Sequence, residues 1–134
     1  VNDEHGHLIG DEVLILVARL LRSSFRLMDR VYRFGGEEFV VVLRAQDPRE
    51  AEHTLQRFRL AMERFVFPQV GHITASVGLC DILQSDSPNA ACARADQAVY
   101  YAKRHGRNQV CGFEDLVQRG LLLEELKVGG VELF

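Results

Sequence analysis

Two adjacent glycines, followed at once by two glutamates, lie between two apolar runs in the first third of the chain. Gly35 and Gly36 have no Cβ, so both can adopt positive φ and let a ligand lie against the bare backbone. Glu37 and Glu38 add hard oxygen ligands beside that gap, as Mg²⁺ bridged to a phosphate requires. The pattern alone also fits an ordinary glycine hairpin with solvated glutamates. It therefore predicts a tight turn, with a phosphate and metal site as one of two interpretations.

The pattern of apolar residues around this turn predicts alternating helices and strands. Polar residues and glycine dominate residues 2–11, which predicts a structured loop. Helices are predicted from a first turn that contains Asp11 and Glu12 to about residue 28, from the N-cap Asp47 to Pro68, and from the Ser87-Pro88 pair to Gly106. Further elements are predicted as strands at 31–34, 38–44, 72–83 and 109–113, and as a tail helix at 116–126.

The apolar spacing also predicts which faces are buried. The continuous apolar run of the second hairpin strand, 38–44, is typical of a strand buried on both faces. The second helix is expected to bury Ala51, Leu55, Phe58, Met62 and Phe65, and the third Cys92, Ala95, Val99 and Ala102.

This order of elements predicts an α+β domain in which helices cover a mostly antiparallel central sheet. We expect the domain to occupy residues 1–113 and a helical tail to occupy residues 114–134.

Composition excludes several classes of protein. A net charge of -3 and a pI near 5.9 argue against a broad basic surface, so nucleic acid is not an expected partner. Three cysteines without a C-x-x-C spacing suggest neither a disulfide framework nor a zinc site, and we expect buried thiols in a reducing cytoplasm. No apolar stretch approaches the length of a membrane span, and no signal peptide is visible. We therefore expect a cytoplasmic domain without membrane contact, although a longer parent protein can be membrane-anchored.

Three separated motifs resemble those of one known family. The pentapeptide 35–39 resembles the signature of the GGDEF family of diguanylate cyclases, in one of its two common spellings. Residues 2–11 are similar to the family's upstream pattern N-D-x-x-G-H-x-x-G-D, and residues 102–108 to its closing pattern A-K-x-x-G-R-N. The resemblance covers about residues 1–113 and implies a nucleotide-cyclase or ferredoxin-like fold. It also implies that two GTP molecules are condensed to cyclic di-GMP and pyrophosphate, with one GTP in each half of a homodimer.

The resemblance assigns roles to individual residues. It implies that Glu37 is a Mg²⁺ ligand and proton acceptor, with Glu38 beside it, and that the two glycines face the substrate. It assigns Asn2 and Asp11 to the guanine base, whose edge an amide and a carboxylate can match. His7 is similar to a substrate-contacting position, or else closes its loop by hydrogen bonding.

Lys103 and Arg107 are four residues apart, which predicts that they share a helix face. Two cations there can bind the triphosphate; the alternative is a solvated charge pair at the end of the helix.

A candidate inhibition site precedes the turn. Arg26 and Asp29 have the R-x-x-D spacing and the offset from Gly35 at which many relatives bind their product. An arginine fork and a carboxylate can bind the phosphate and the guanine edge of cyclic di-GMP, and Arg57 is a candidate second arginine. The spacing by itself also fits a surface ion pair.

One feature of the family is expected to lie before this sequence. Relatives carry a strand ahead of the first motif that supplies a metal-binding aspartate. We therefore expect the 134-residue chain alone to be poorly stable or self-associating, and weakly active or inactive.

Three functions remain open from the sequence. The first is a diguanylate cyclase, and the second an inactive module that binds GTP or cyclic di-GMP. The intact Glu37 and Glu38 favour the enzyme. A purely structural interaction domain would leave the polar loops unexplained.

Overall fold

The computed structural model describes residues 10–25, 30–35, 38–44 and 47–122. In chain order the elements are α1 (Asp11–Ser24), β1 (Arg30–Gly35), β2 (Glu38–Val42), α2 (Pro48–Arg64), β3 (Val66–Phe67), β4 (Gly71–His72), β5 (Val77–Leu79), α3 (Pro88–Arg104), β6 (Val110–Gly112) and α4 (Phe113–Gln118). Within the described residues, no helix combines the length and the apolar character needed to cross a bilayer.

The described strands pair two by two. Strands β1 and β2 form an antiparallel hairpin, β3 and β4 a short antiparallel pair, and β5 and β6 a parallel pair. The α+β class is therefore confirmed, and two of the three pairs are antiparallel, as predicted. The parallel pair is possible because α3 connects β5 to β6 and provides the crossover that parallel strands need.

The first helix is shorter than predicted. It ends at Ser24, because Phe25 adopts extended dihedral angles, φ -118° and ψ 160°, and its amide donates to Arg22 O instead of continuing the helix. Its buried residues are Val13, Val17 and Leu21, which recur at helical spacing.

The helix α2 begins as its capping residues predict. The Asp47 carboxylate accepts a hydrogen bond from the Glu50 amide at 2.9 Å, and Pro48 occupies the first turn. Buried residues of α1, α2 and the β3–β4 region form a first cluster, which consists of Val13, Val17, Leu21, Phe58, Met62, Phe67 and Ile73. The prediction for Phe65 needs correction, since it lies just beyond the helix and is half-buried against the ring of Phe67 at 4.7 Å.

The helix α3 starts at its predicted cap and buries its predicted face in part. Ser87 Oγ accepts from the Ala90 amide at 3.1 Å. Ala102 is buried as predicted, Cys92, Ala95 and Val99 are half-buried, and Ala91 and Ala98 are buried in addition. Together with β6 and α4 this helix forms a second cluster, which consists of Ala98, Ala102, Cys111, Phe113 and Leu116. The backbone of Ala95 and Val99, on the predicted face, lies directly on Gly78 of β5.

Three further predictions are corrected. The strand predicted at 72–83 is divided into β4 and β5, because residues 73–76 form no strand pairing. The second hairpin strand, β2, is half-buried at its centre and exposed at both ends instead of buried on both faces. The tail helix α4 begins at Phe113 and ends at Gln118, earlier than the predicted 116–126. The last strand, β6, lies within its predicted range.

The cysteines match their prediction in part. All three are free thiols; Cys111 is buried, while Cys80 and Cys92 are half-buried. Burial raises the pKa of the Cys111 thiol. Burial is also the largest cause of the raised pKa of the Cys80 thiol.

Candidate functional site

The tip of the β1–β2 hairpin carries the glycine and glutamate motif. The strands keep one register from the Arg30–Val42 pair to the Arg33–Phe39 pair, and the register then shifts so that Gly35 lies opposite Glu38. This irregularity adds one residue to β1 and leaves residues 36 and 37 as the connection. Gly35 has no side chain, so none lies opposite Glu38 in this pair.

Glu38 is available to bind a cation. Its side chain is exposed, and among the described residues it has no hydrogen-bond or ion-pair partner. A carboxylate oxygen is a ligand that Mg²⁺ prefers, so the donor chemistry at this tip fits the metal. The described residues contain no group of three or more His, Cys, Asp or Glu side chains that could hold a metal ion, and Glu37 lies outside them.

The hairpin is held against the helices by its apolar residues. Val31, Phe39 and Val41 pack against the first cluster, as does Phe25 at the end of α1. Phe39 and Val41 are two residues apart, so they share one face of β2, and Glu38 belongs to the other. Glu38 therefore belongs to the face of β2 opposite the one that packs on the first cluster.

The predicted phosphate-binding cations lie where α3 ends. Lys103 is in the last turn of the helix, but Arg107 lies beyond its end at Arg104, in a left-handed conformation with φ 60°. The premise that the two residues share a helix face is therefore wrong. Both side chains are exposed, and neither has a hydrogen-bond or ion-pair partner in the described part of the chain.

The predicted inhibition arginine Arg57 is exposed on α2, as expected. Its Nη2 donates to Ser24 O at 3.4 Å, so its guanidinium lies at the C-terminal end of α1. The segment that contains Arg26 and Asp29 starts two residues later in the chain. This contact brings Arg57 close to where that segment begins.

Several predicted site residues lie outside the part of the chain that the structure describes. These are the substrate-binding candidates Asn2, His7 and Gly36, the catalytic candidate Glu37 and the inhibition-site pair Arg26 and Asp29. Asp11 begins α1, and its side chain also lies outside the described part.

One arginine that contacts the third motif could not be predicted as a site residue from the sequence. Arg59 Nη1 on α2 donates to Asn108 Oδ1 at 3.0 Å and to Asn108 O at 3.4 Å, 49 residues further along the chain. Asn108 closes the third motif, but nothing in the local pattern distinguishes Arg59 from the other arginines of its helix.

Comparison with known families decides which family these motifs represent. A family model described as "Diguanylate cyclase, GGDEF domain" matches residues 1–109. The chain belongs to the GGDEF family. Among proteins of assigned function, this GGDEF chain is similar to diguanylate cyclase DgcP of Pseudomonas aeruginosa, with 42% identity over 113 residues. That match covers 82% of the chain and 17% of DgcP, so the chain spans a small part of the relative's length.

Solved GGDEF domains have the same fold. The GGDEF domain of DgcB from Caulobacter crescentus, crystallised in complex with c-di-GMP, matches with a TM-score of 0.74 and 30% identity, over 84% of this chain and 70% of that one. The active GGEEF domain of a diguanylate cyclase from Vibrio cholerae matches with a TM-score of 0.71 and 37% identity, over 84% and 73% of the two chains. Residues 35–39 have the same GGEEF spelling as the motif for which the Vibrio cholerae domain is named.

Proposed function

We propose that this GGDEF chain is the catalytic domain of a diguanylate cyclase, which condenses two GTP molecules to cyclic di-GMP and two pyrophosphates. The observation that carries the proposal is the hairpin tip, where the register shift sets Gly35 opposite an exposed Glu38 that has no partner among the described residues. Diguanylate cyclase is also the assigned activity of the relative DgcP.

The reaction consists of two equivalent phosphoryl transfers. In each, the 3′-oxygen of one GTP forms a bond to the α-phosphorus of the other, and the bond from that phosphorus to the bridging oxygen breaks, releasing pyrophosphate. The proton of the 3′-hydroxyl passes to a carboxylate, which we assign to Glu37. When bound by Glu37 and Glu38, Mg²⁺ supplies electrostatic stabilisation of the charge on the α-phosphoryl oxygens.

The remaining substrate contacts are assigned from the sequence motifs. Asn2 and Asp11 are proposed to hydrogen-bond the guanine base, and His7 to contact the nucleotide. Gly35 and Gly36 let the phosphates approach the backbone. Lys103 and Arg107 supply positive charge to the triphosphate, which their exposed side chains permit, since neither has a partner in the described structure.

Catalysis on this scheme needs two domains. One domain holds one GTP, and each 3′-hydroxyl must reach the α-phosphate of the other nucleotide. A homodimer with its two hairpin tips facing each other satisfies that geometry, because a two-fold axis makes the two transfers equivalent. We propose a cytoplasmic location, where GTP is available.

We also propose product inhibition through Arg26, Asp29 and Arg57. The contact of Arg57 with Ser24 O supports this grouping, because Ser24 precedes Arg26 by two residues in the chain. A planar guanidinium can bind a phosphate of cyclic di-GMP by two hydrogen bonds. The division between the domain, 1–113, and the tail, 114–134, stays a prediction.

The test is product formation with matched variants. The chain, and a form extended at its N-terminus, are incubated with GTP and Mg²⁺, and cyclic di-GMP and pyrophosphate are quantified by chromatography. We expect product from the unmutated extended form and at least about a hundredfold less from its Glu37→Ala variant, because a metal ligand and proton acceptor is lost. An unmutated extended form that binds GTP tightly without product would instead support the regulatory binding module.

Inhibition is tested in the same assay. Added cyclic di-GMP should slow the unmutated enzyme and have little effect on Arg57→Ala, when each rate is compared with that protein's own initial rate without product. Equal inhibition of the two would remove Arg57 from the proposed site.

A further inference from the structure

The turn that follows α3 has an unusual backbone. Gly106, Arg107 and Asn108 all have positive φ, at 116°, 60° and 47°. Glycine adopts such angles without cost, but for arginine they are uncommon and unfavourable. A conformation of this kind persists where surrounding contacts fix it, and it often marks a functional site.

Contacts within the segment fix only part of this turn. The Arg107 amide donates to Ala102 O at 2.8 Å, and Gln109 Nε2 donates to Ala102 O at 3.1 Å and to His105 O at 2.8 Å. These bonds close the turn onto the end of α3. The side-chain oxygen of Asn108 is held from elsewhere in the chain.

Arg59 of α2 holds Asn108. Its Nη1 reaches Asn108 Oδ1 at 3.0 Å and Asn108 O at 3.4 Å. The same guanidinium is fixed to its own helix, since Nε donates to Gln56 Oε1 at 2.8 Å and Nη1 to Glu63 Oε1 at 3.0 Å. The Arg59 side chain is 17% exposed, so these bonds are partly shielded from water. Because the planar guanidinium of Arg59 binds both side chains of α2 and Asn108, it connects α2 rigidly to the turn.

Arg107 directly precedes Asn108, the residue that Arg59 holds. Its side chain is exposed and, among the described residues, has no partner of its own. We infer that Arg59 is a positioning residue of the GTP site: it fixes Asn108 so that the left-handed turn presents Arg107 to the triphosphate. This inference rests on the proposed function, because it takes Arg107 as a phosphate contact. Arg59 itself does not touch the nucleotide.

A purely structural role for Arg59 makes a different prediction. If its function were only to join two elements, its loss would lower stability and weaken every ligand equally. If it positions Arg107, its loss weakens ligands that carry the triphosphate and leaves guanosine binding unchanged. The effect must also vanish once Arg107 is removed.

The experiment is a double-mutant cycle on the purified chain. Affinities for 3′-deoxy-GTP, which lacks the attacking hydroxyl, and for guanosine are measured by calorimetry with Mg²⁺ for Arg59→Met, Arg107→Met and the double variant. We expect each single variant to bind 3′-deoxy-GTP about tenfold more weakly, as the loss of a charge-assisted hydrogen bond predicts. The double variant should bind no more weakly than Arg107→Met alone.

Two further variants make the result decisive. Arg64→Met removes an exposed guanidinium from the last turn of the same helix and should change the affinity less than about twofold. Asn108→Ala removes Oδ1, the nearer of the two acceptors, but leaves the Arg59–Glu63 pair, so it should weaken 3′-deoxy-GTP binding as Arg59→Met does even if that variant folds poorly.

Three outcomes overturn the inference. The first is an unchanged affinity for 3′-deoxy-GTP in folded Arg59→Met or Asn108→Ala. The second is a double variant whose loss of affinity is the product of the two single losses. The third is a loss of guanosine affinity equal to the loss of 3′-deoxy-GTP affinity. If the unmutated chain does not bind 3′-deoxy-GTP, both the proposed function and this inference are overturned. If the unmutated chain binds it and one of the three outcomes is found, only this inference is overturned.

Discussion

Helices α2 and α3 make contacts of different kinds in the two hydrophobic regions of the described structure. In the first cluster, α2 packs on α1 and β3 through large residues such as Leu21, Phe58 and Phe67. Beside the second cluster, the backbone of α3 lies directly on Gly78 of β5. A smaller side chain in the first cluster would leave a cavity, whereas a side chain added at Gly78 would meet backbone atoms. The first cluster should therefore respond strongly to lost volume, and the contact of α3 with β5 to added volume.

The largest expected effect is the addition of a side chain at Gly78. A Cβ there would lie 2.2 Å from Ala95 O and 2.6 Å from Val99 N, and these backbone atoms cannot move without displacing α3. We expect Gly78→Val to destabilise the chain by more than about 4 kcal/mol or to prevent folding. The measurement is urea denaturation followed by circular dichroism.

Gly112 provides the matched control in the neighbouring strand. It pairs with Leu79, its φ is -98°, and an added Cβ would meet only Asp115 Cβ at an ordinary 3.8 Å. Gly112→Ala should change the free energy of unfolding by less than about 1 kcal/mol. Similar losses at the two glycines would show that the close approach of α3 is not what distinguishes Gly78.

The next largest effect is the removal of volume from the first cluster. Phe58 is 6% exposed and lies beside Phe25, with ring centroids 6.3 Å apart. Phe58→Ala should cost about 3–4 kcal/mol, because it removes buried apolar surface and leaves a cavity. Phe58→Leu keeps most of the volume and should cost less than about 1.5 kcal/mol. Equal losses for both substitutions would mean that this cluster, too, depends on exact shape.

Sequence predicted the features of both regions that depend on near neighbours. The caps Asp47 and Ser87, the stop at Gly106 and the pairing of β1 with β2 all involve residues close together in the sequence. The motifs likewise identified the family, because their letters are contiguous.

Features that depend on distant residues were missed. The direct contact of α3 with Gly78 of β5 is one such feature, because the spacing of apolar residues within the helix does not reveal it. The division between β4 and β5 follows from the pairing of β5 with β6, over 30 residues away along the chain. Arg59 was missed for the same reason, because its partner Asn108 is 49 residues away. Sequence thus identified the candidate phosphate contact Arg107 but not the contact that holds its turn.

A smaller effect is expected at the caps of the helices that support the two clusters. The Asp47 carboxylate caps α2 and the Ser87 hydroxyl caps α3, each by one hydrogen bond to the amide three residues later. Asp47→Ala and Ser87→Ala should each cost about 1 kcal/mol in the free energy of unfolding. The corresponding glycine substitutions should be milder, because glycine leaves the end of the helix open to water. Unequal costs would show that one of the two helices depends more on its cap than on its cluster.

The smallest expected effect is a pH dependence of the loop between β5 and α3. Arg94 donates to both carboxylate oxygens of Asp86 and to Asp81 O, and Asp86 also accepts from the Leu83 amide. The hydrogen bonds from Arg94 are the largest cause that lowers the pKa of Asp86 in the folded protein. A lowered carboxyl pKa contributes stability above the unfolded value and loses it as the pH falls through the folded value.

Asp86→Asn should therefore be less stable than the unmutated chain at neutral pH, and the difference should shrink as the pH falls from the ordinary carboxyl range through the lowered pKa of Asp86. The measurement is the free energy of unfolding as a function of pH, with Arg94→Met as the matched variant. Because Arg94 supplies the hydrogen bonds, adding Asp86→Asn to Arg94→Met should leave little pH-dependent difference to lose. A difference that persists unchanged into acid would mean that Asp86 acts through its shape and its bond to the Leu83 amide, and not through its charge.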